Sequence, residues 1–453
     1  MSITLTSPIF EAGVLQPIGT VLSLSVAREA KLVGSNKAVY NYKNDQIRVG
    51  TGAFAKAANT RVNWVWHGHS VVTGFGSDDT SNGGPTNVVV WARQRTSAIL
   101  GRRLNAVVGG TWSRGVEHFG VYNSGLFTFG GGAAISGPYG TVGIGGYRAL
   151  LNSSSHTVSF RAVGTAVRIY MYSTLGTVLR YSINGGGTQS AAAAPNTPTP
   201  DGNGVWYEVT ISGLTGGDGA TTGDLVQLIG PTSSFVSITM VDQDYRTDAG
   251  LTLHALGVAG LMGAQAVAAY LDDTDTQPST ATNWIGTGAT KAAYRLLQLQ
   301  SVMTRLNASL VLNMFDVNDL KAYANASSPW GWTLTDHERH MRNYLTAVNG
   351  QGAKVLIVAG PLRLPSNTVA DMTGNPRPFD QADLIELYKR VVKDYDAGMI
   401  DLTAEYKFPT LQSRYDAQQA DGVNIDTVHP NSLGSAYFGN RIADAILAGN
   451  LGI

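Results

Sequence analysis

Apolar positions along this chain change their period three times. From Arg61 to His67 (RVNWVWH) they alternate among β-formers, which predicts a strand. A helical stretch is expected next, from about Thr86 to Arg103. Between about 105 and 249 short alternating runs recur: HTVSFRAV (156–163), AVRIYMYST (166–174), VLRYSIN (178–184), WYEVTISGL (206–214), DLVQLIG (224–230) and SFVSITMV (234–241). Gly, Ser and Thr separate them, and strands at this spacing predict a β-sandwich or jelly roll. The Ala/Pro/Thr stretch 191–204 reads as a loop.

Beyond about 250 apolar strands alternate with helices. LTLHALGV (251–258), ASLVLNMFD (308–316) and KVLIVAG (354–360) are expected strands. Residues 291–306, 333–348, 379–395 and 431–449 are expected helices. Thr335 with Glu338 three positions on has the capping-box pattern, and Asp380 is placed to cap the helix that follows it. Apolar strands alternating with helices imply a parallel sheet covered on both faces. The expected architecture is therefore an α/β domain in two pieces, 51–104 and 250–453, with a β-sandwich at 105–249 inserted after its first helix. A small N-terminal module occupies 1–50, with a strand at 19–26, a short helix at 27–33, and a turn and second strand at 34–42.

Composition narrows the function. With 453 residues, more than one core is expected. Charged residues are only 14%, against roughly 25% in an average domain, and Gly numbers 54, which favours short strands and tight turns over long surface helices. Lys+Arg and Asp+Glu are both 32, so no net basic charge points to nucleic acid or to an anionic membrane. There is no Cys, which excludes thiol catalysis, disulfides and Cys-based zinc sites. MSITLTSPIFEAG lacks a basic segment followed by an apolar one, so no signal peptide is expected, and no apolar run approaches the ~18 residues of a membrane span.

Four short segments carry candidate chemistry. Ser70 follows a strand and a glycine, at the carboxyl edge where open α/β sheets bind ligands. DTVHPN places Asp426 three positions before His429, supplying a base for a serine and a carboxylate to hold that base. Asn318, in FDVNDL, follows a strand and can aim its amide at a developing oxyanion. Gly257 and Gly260, in LGVAG, allow a backbone N–H to approach a substrate oxygen.

Taken alone, each has a plainer reading: a turn serine, a surface histidine, an Asx turn, a tight strand–helix turn. Their order, Ser, Gly, Asn, Asp-x-x-His, resembles the SGNH (GDSL-like) serine hydrolases, in GHSVVTG, LGVAG, DVND and DTVHPN. The resemblance implies a flavodoxin-like, three-layer parallel-sheet domain. It implies Ser70 as nucleophile, His429 as base and Asp426 as its partner. The Ser70 N–H, the Gly260 N–H and the Asn318 side chain would form the oxyanion hole, with no cofactor and no metal. Three departures stand out: His69 where Asp is usual, Asp316 where Gly is usual, and Ala255 and Ala259 in the second segment.

The expected activity is carboxylic ester hydrolysis through an acyl-enzyme, with an O-acetylated carbohydrate as substrate. Residues 1–50 resemble small N-terminal modules of phage structural proteins, which implies a virion- or tail-associated enzyme with virion proteins as partners. In that case it is virion-associated or extracellular, and otherwise cytoplasmic. The alternative is a non-catalytic virion attachment or glycan-binding protein with a decayed hydrolase domain. A metal site at His67-Gly68-His69 lacks further clustered ligands in the sequence, and the G-x-S-x-G elbow of other serine hydrolases is absent around Ser70. In the insert, Tyr139, Tyr147, Tyr170, Tyr172, Trp206 and Tyr207 could stack on sugars or fill a core. His337 and His340 share a helix face and are expected to be solvated.

Overall fold

The computed structural model describes residues 3–5, 7–11, 14–22, 32, 38–40, 57, 59–79, 88–119, 124–136, 148–196, 204–257, 299–320, 334–362, 379–395, 397–405, 411–426 and 428–451. Its centre is a five-stranded, all-parallel sheet. The strands are β1 (Arg61–Gly68), β2 (Gly250–Gly257), β3 (Ala308–Met314), β4 (Lys354–Ala359) and β5 (Ala397–Asp401), in spatial order β2-β1-β3-β4-β5. That is the flavodoxin-like order, whose direction of growth reverses between β1 and β3 and leaves a crevice beyond their carboxyl ends.

Alternation along the strands splits their side chains between two cores. Trp64, Trp66, Leu253, Leu310, Leu312, Leu356 and Val358 join one cluster, together with Leu100 and Leu104 of α3 (Thr96–Val108) and Tyr437, Phe438, Ile442 and Ile446 of α9 (Ser432–Leu451). Val65, Val311, Val355 and Ile357 face the other way. They meet Val302 and Leu306 of α4 (Leu299–Leu306), Tyr344 and Leu345 of α6 (Leu334–Gly350), and Leu384 and Tyr388 of α7 (Gln381–Asp394). Helices therefore cover both faces. Asp380 caps α7 as expected, in a full capping box with Asp383. The helix at 333–348 begins at Leu334, one residue before Thr335.

The helical stretch expected from Thr86 to Arg103 is instead two helices, α2 (Val88–Gln94) and α3, broken at Arg95, whose backbone is extended (φ −58°, ψ 144°). The guanidinium of Arg95 explains the break. It is buried, lies over the Trp91 ring and donates to both carboxylate oxygens of Glu117 at 3.0 and 2.6 Å. A continuous helix would not deliver that side chain.

Residues 116–242 build two antiparallel sheets. In one, 205–212, 166–173, 236–242, 148–151 and 134–136 lie in that order, and 116–118 pairs with 236–242. In the other the order is 189–193, 178–183, 225–229, 157–161, 128–130. Gln189–Ala193 is a mostly exposed edge strand where a loop was expected. Val158, Phe160, Ile169, Val226, Leu228 and Ile238, drawn from both sheets, belong to the same buried cluster as Val65 and Val311. A polar seam joins these sheets to the parallel one. Arg61 donates to the Thr111 carbonyl (2.8 Å), Ser113 Oγ to the Asp244 carbonyl (2.9 Å), Val116 N–H to His254 Nδ1 (3.0 Å) and His118 Nε2 to the Gly257 carbonyl (2.7 Å).

Near the N-terminus, Ile3–Leu5 pairs with Val21–Leu22 and Ala38–Tyr40, and Ile9–Glu11 forms a hairpin with Val14–Gln16. The helix expected at 27–33 lies almost wholly outside the described residues, which include only Leu32 there. Among the described residues no helix is long and apolar enough to cross a membrane.

Candidate active site

Three strand ends lie level at one edge of the parallel sheet, because Gly68 of β1 is in register with both Gly257 of β2 and Met314 of β3. Two residues beyond Gly68 the chain turns into α1 (Ser70–Thr73), and Ser70 is its first residue. The backbone N–H groups opening a helical turn have no acceptor within it, so the Ser70 N–H is available to a bound oxygen. His69 caps the turn: its Nδ1 accepts from the Val71 N–H at 3.3 Å. Gly257, at the end of β2, lies against α1. A Cβ there would stand 2.4 Å from the Thr73 nitrogen, so its bare backbone lets α1 seat on the sheet edge.

His429 reaches the same edge from the other end of the chain. Its Nε2 is 2.7 Å from Ser70 Oγ, and its Nδ1 is 2.6 Å from Asp426 Oδ2. The other oxygen, Asp426 Oδ1, accepts the backbone N–H groups of Val428 and His429, each at 2.7 Å. Burial works against the charge on Asp426. The bonds from the His429 ring and from these N–H groups outweigh it and hold the carboxyl down at about 2. Asp426 is therefore ionised at neutral pH and keeps the proton of His429 on Nδ1, which leaves Nε2 to accept from Ser70.

Residues with no local signal of their role hold these two loops together. Phe75 packs on the His429 ring, with centroids 4.0 Å apart. Asp79 accepts from Ser432 N–H (2.8 Å) and Oγ (2.9 Å), tying the Ser70 loop to the first turn of α9. Gly76, at φ +81°, is where the loops touch: a Cβ would lie 2.8 Å from both the Pro430 carbonyl oxygen and the Ile425 side chain. Asn431 accepts from the Gly434 N–H (2.8 Å) and donates to the Gly422 carbonyl (2.7 Å), fixing the start of α9.

Asn318 lies in α5 (Asp316–Asp319), directly after β3, and is buried at the same edge. Asp316, which stands where the resembled family carries glycine, has an ordinary helical backbone with no left-handed φ. Its carboxyl is buried and accepts from Gly360 N–H (2.9 Å) and Gln381 Nε2 (2.7 Å). Burial pushes it up to about 7, against the pull of those bonds and with a further push from Asp319. Gly260 lies outside the described residues.

The other histidines do not assemble with His429. His67 is buried against Phe315 and bonds Tyr344 Oη through Nδ1 at 3.0 Å, and burial, aided by His118, holds it down at about 3. His337 and His340, expected to be solvated, are both buried: α6 turns His337 toward Phe379 and toward Asp319, which is 3.5 Å away, and His340 lies edge-on to His337. Among the described residues no group of three or more His, Asp or Glu side chains is arranged to hold a metal ion.

No family model matches the chain, and no curated protein matches it. Among solved structures, one of a peptidoglycan O-acetylesterase aligns over 90% of this chain and 97% of its own, at 15% identity and a TM-score of 0.56. The two share a fold. A family two carbohydrate esterase from Cellvibrio japonicus aligns over 72% of this chain and 95% of its own, at 10% identity and a TM-score of 0.26. A score that low carries no inference about this chain.

Proposed function

We propose that this protein is a serine esterase of the SGNH kind that removes O-acetyl groups from a carbohydrate. The observation that carries the reading is the Ser70–His429–Asp426 relay, with contacts of 2.7 and 2.6 Å at the carboxyl edge of a flavodoxin-like sheet. Ser70 Oγ attacks the ester carbonyl carbon while its proton passes to His429 Nε2. The carbonyl π pair moves onto oxygen, where the Ser70 N–H, the Gly260 N–H and the Asn318 amide donate hydrogen bonds. On collapse the C–O bond to the sugar breaks, and His429 gives its proton to the departing alkoxide. Water then attacks the acetyl-serine, again losing its proton to His429, and acetate leaves as Ser70 recovers that proton. Asp426 keeps its charge throughout and stabilises the imidazolium.

The shared fold with a peptidoglycan O-acetylesterase supports an acetylated glycan over other esters. The two antiparallel sheets support an inserted sandwich at 105–249, between the N-terminal and C-terminal parts of the hydrolase domain. Four of its aromatics, Tyr170, Tyr172, Trp206 and Tyr207, are buried and offer no face to a sugar, while Tyr139 and Tyr147 lie outside the described residues. Virion association rests on the pattern of residues 1–50 alone; its absence from purified particles would remove that part of the proposal.

The test is hydrolysis of a short-chain aryl acetate, and of an O-acetylated glycan, by the wild type and by Ser70→Ala with chelator present throughout. Turnover by the wild type alone is the expected result. Equal turnover by both would mean that Ser70 is not the nucleophile. Glycan binding without acetate release from any substrate would favour an attachment protein.

A further inference from the structure

The turn that carries Asn318 is closed by backbone bonds: the N–H groups of Asn318 and Asp319 both reach the Phe315 carbonyl at 3.0 Å, and the Leu320 N–H reaches the Asp316 carbonyl at 3.2 Å. Asp319 also lies 3.5 Å from His337. The Asp316 side chain adds a tie to two further elements. One carboxyl oxygen, Oδ2, accepts from the Gly360 N–H just beyond β4 and from Gln381 Nε2, the first residue of α7. Gln381 Nε2 also donates to the Pro361 carbonyl at 3.0 Å. A single side chain thus brackets the ends of β3, β4 and α7, two positions before Asn318. Its full burial distinguishes it from an ordinary turn carboxylate, because a carboxyl kept out of water needs such partners to be retained.

We infer that Asp316 is a positioning residue for the reaction proposed above, bracing the Asn318 turn against β4 and α7 so that the Asn318 amide stays aimed at the developing oxyanion. The inference rests on that reading of the site. Donors to an oxyanion act through preorganisation, so a turn that tilts loses rate while ground-state binding is largely kept.

The experiment is a double-mutant cycle read in kcat and KM on an aryl acetate, with Asp316→Ala, Asn318→Ala, the double variant, Asp316→Asn, and Ser70→Ala as reference. Asp316→Ala should lower kcat about 10- to 100-fold with KM changed less than about twofold. In the Asn318→Ala background the same change should cost less than about twofold, since nothing is left to aim. Asp316→Asn should stay within about threefold of wild type, because its amide oxygen can accept both bonds. Should Asp316→Ala fail to fold, Gln381→Met removes one of the two donors to Oδ2 and is carried through the same cycle. Equal losses with and without Asn318, or a loss confined to KM, would overturn the inference while Ser70→Ala remains inactive. Activity surviving in Ser70→Ala would instead remove the reading of the site, and this inference with it.

Discussion

The loop of His429 and the seam behind β2 treat the same side chain in opposite ways. At the sheet edge, His429 keeps about a fifth of its side-chain surface and meets a carboxylate on one nitrogen and a hydroxyl on the other. In the seam, His254 is fully enclosed and accepts the Val116 N–H, and His118 is enclosed with its Nε2 on the Gly257 carbonyl. Burial holds His254 down at about 3 and His118 at about 4, with Glu117 and the Gly257 carbonyl pulling His118 partly back. These rings are neutral spacers of fixed tautomer. The difference lies in the surroundings: His429 has both a carboxylate on its ring and an opening to solvent, whereas His254 and His118 are enclosed. Charge in the seam is spent internally. Burial alone would raise Glu117, but Arg95 and Arg114 overcome it and keep that carboxylate ionised.

The sharpest way to break this comparison is His429→Ala set against His69→Ala. His429→Ala should lower kcat by at least ~10³-fold. His69→Ala removes a cap, worth ~1 kcal/mol of local stability, and should leave kcat within about tenfold of wild type. Equal losses would mean that the ring at 69 takes part in the chemistry. A smaller effect is expected at the contact between loops. Gly76→Ala puts a Cβ into the Pro430 carbonyl at a positive φ, which should move the His429 loop off Ser70 and cost about 10- to 100-fold in kcat with Ser70 and His429 both intact. Unchanged kcat would show that the loops do not constrain each other.

The smallest effect is on stability against pH, and it sharpens the contrast. His67, His118 and His254 have folded values of about 3, 4 and 3, below the roughly 6.5 of an unfolded histidine. As pH falls, the unfolded chain takes up these protons first. Their contribution is therefore complete above about pH 6.5 and is lost progressively toward pH 4 and below. Asp426 runs in a lower window: its contribution is present above about pH 4 and is lost as pH falls through about 2. Melting temperatures measured from pH 7 to pH 4 should fall, and His254→Gln should flatten the slope, since its amide oxygen can still accept from Val116. A flat wild-type curve would mean that the seam histidines are accessible to protons.

What could be read from the sequence follows from what is local. Strands with strict alternation, such as 166–173, and strands buried on both sides, such as 308–314, announce themselves in a few residues. So does Asp426 with His429, because three positions on one loop fix their mutual reach. β5 went unseen, since AGMID is short and carries Gly and Asp, and it is a strand only because β4 lies beside it. α8 (Leu411–Ala420) is polar along its length and shows little periodicity. The break at Arg95, the Asp79–Ser432 tie and the bracket at Asp316 are contacts between distant segments, with no local pattern to betray them. The burial of His337 was hidden for the same reason: its inward side of α6 is set by Phe379 and Asp319, distant in the chain.

The contact between Ser70 and His429 spans 359 positions of chain, whereas Asp426 and His429 are joined within three. During synthesis the Asp426–His429 half can therefore take shape almost as soon as it emerges, but Ser70 must wait. At translation rates of about 5–20 residues per second, that wait is roughly 20–70 s. Whatever the α/β body does in that interval, it does with its serine unpaired. Hydrolysis, if followed on nascent chains, would then be a late event that reports the docking of α9 onto α3 and the sheet, and so would serve as a clock for completion of the fold.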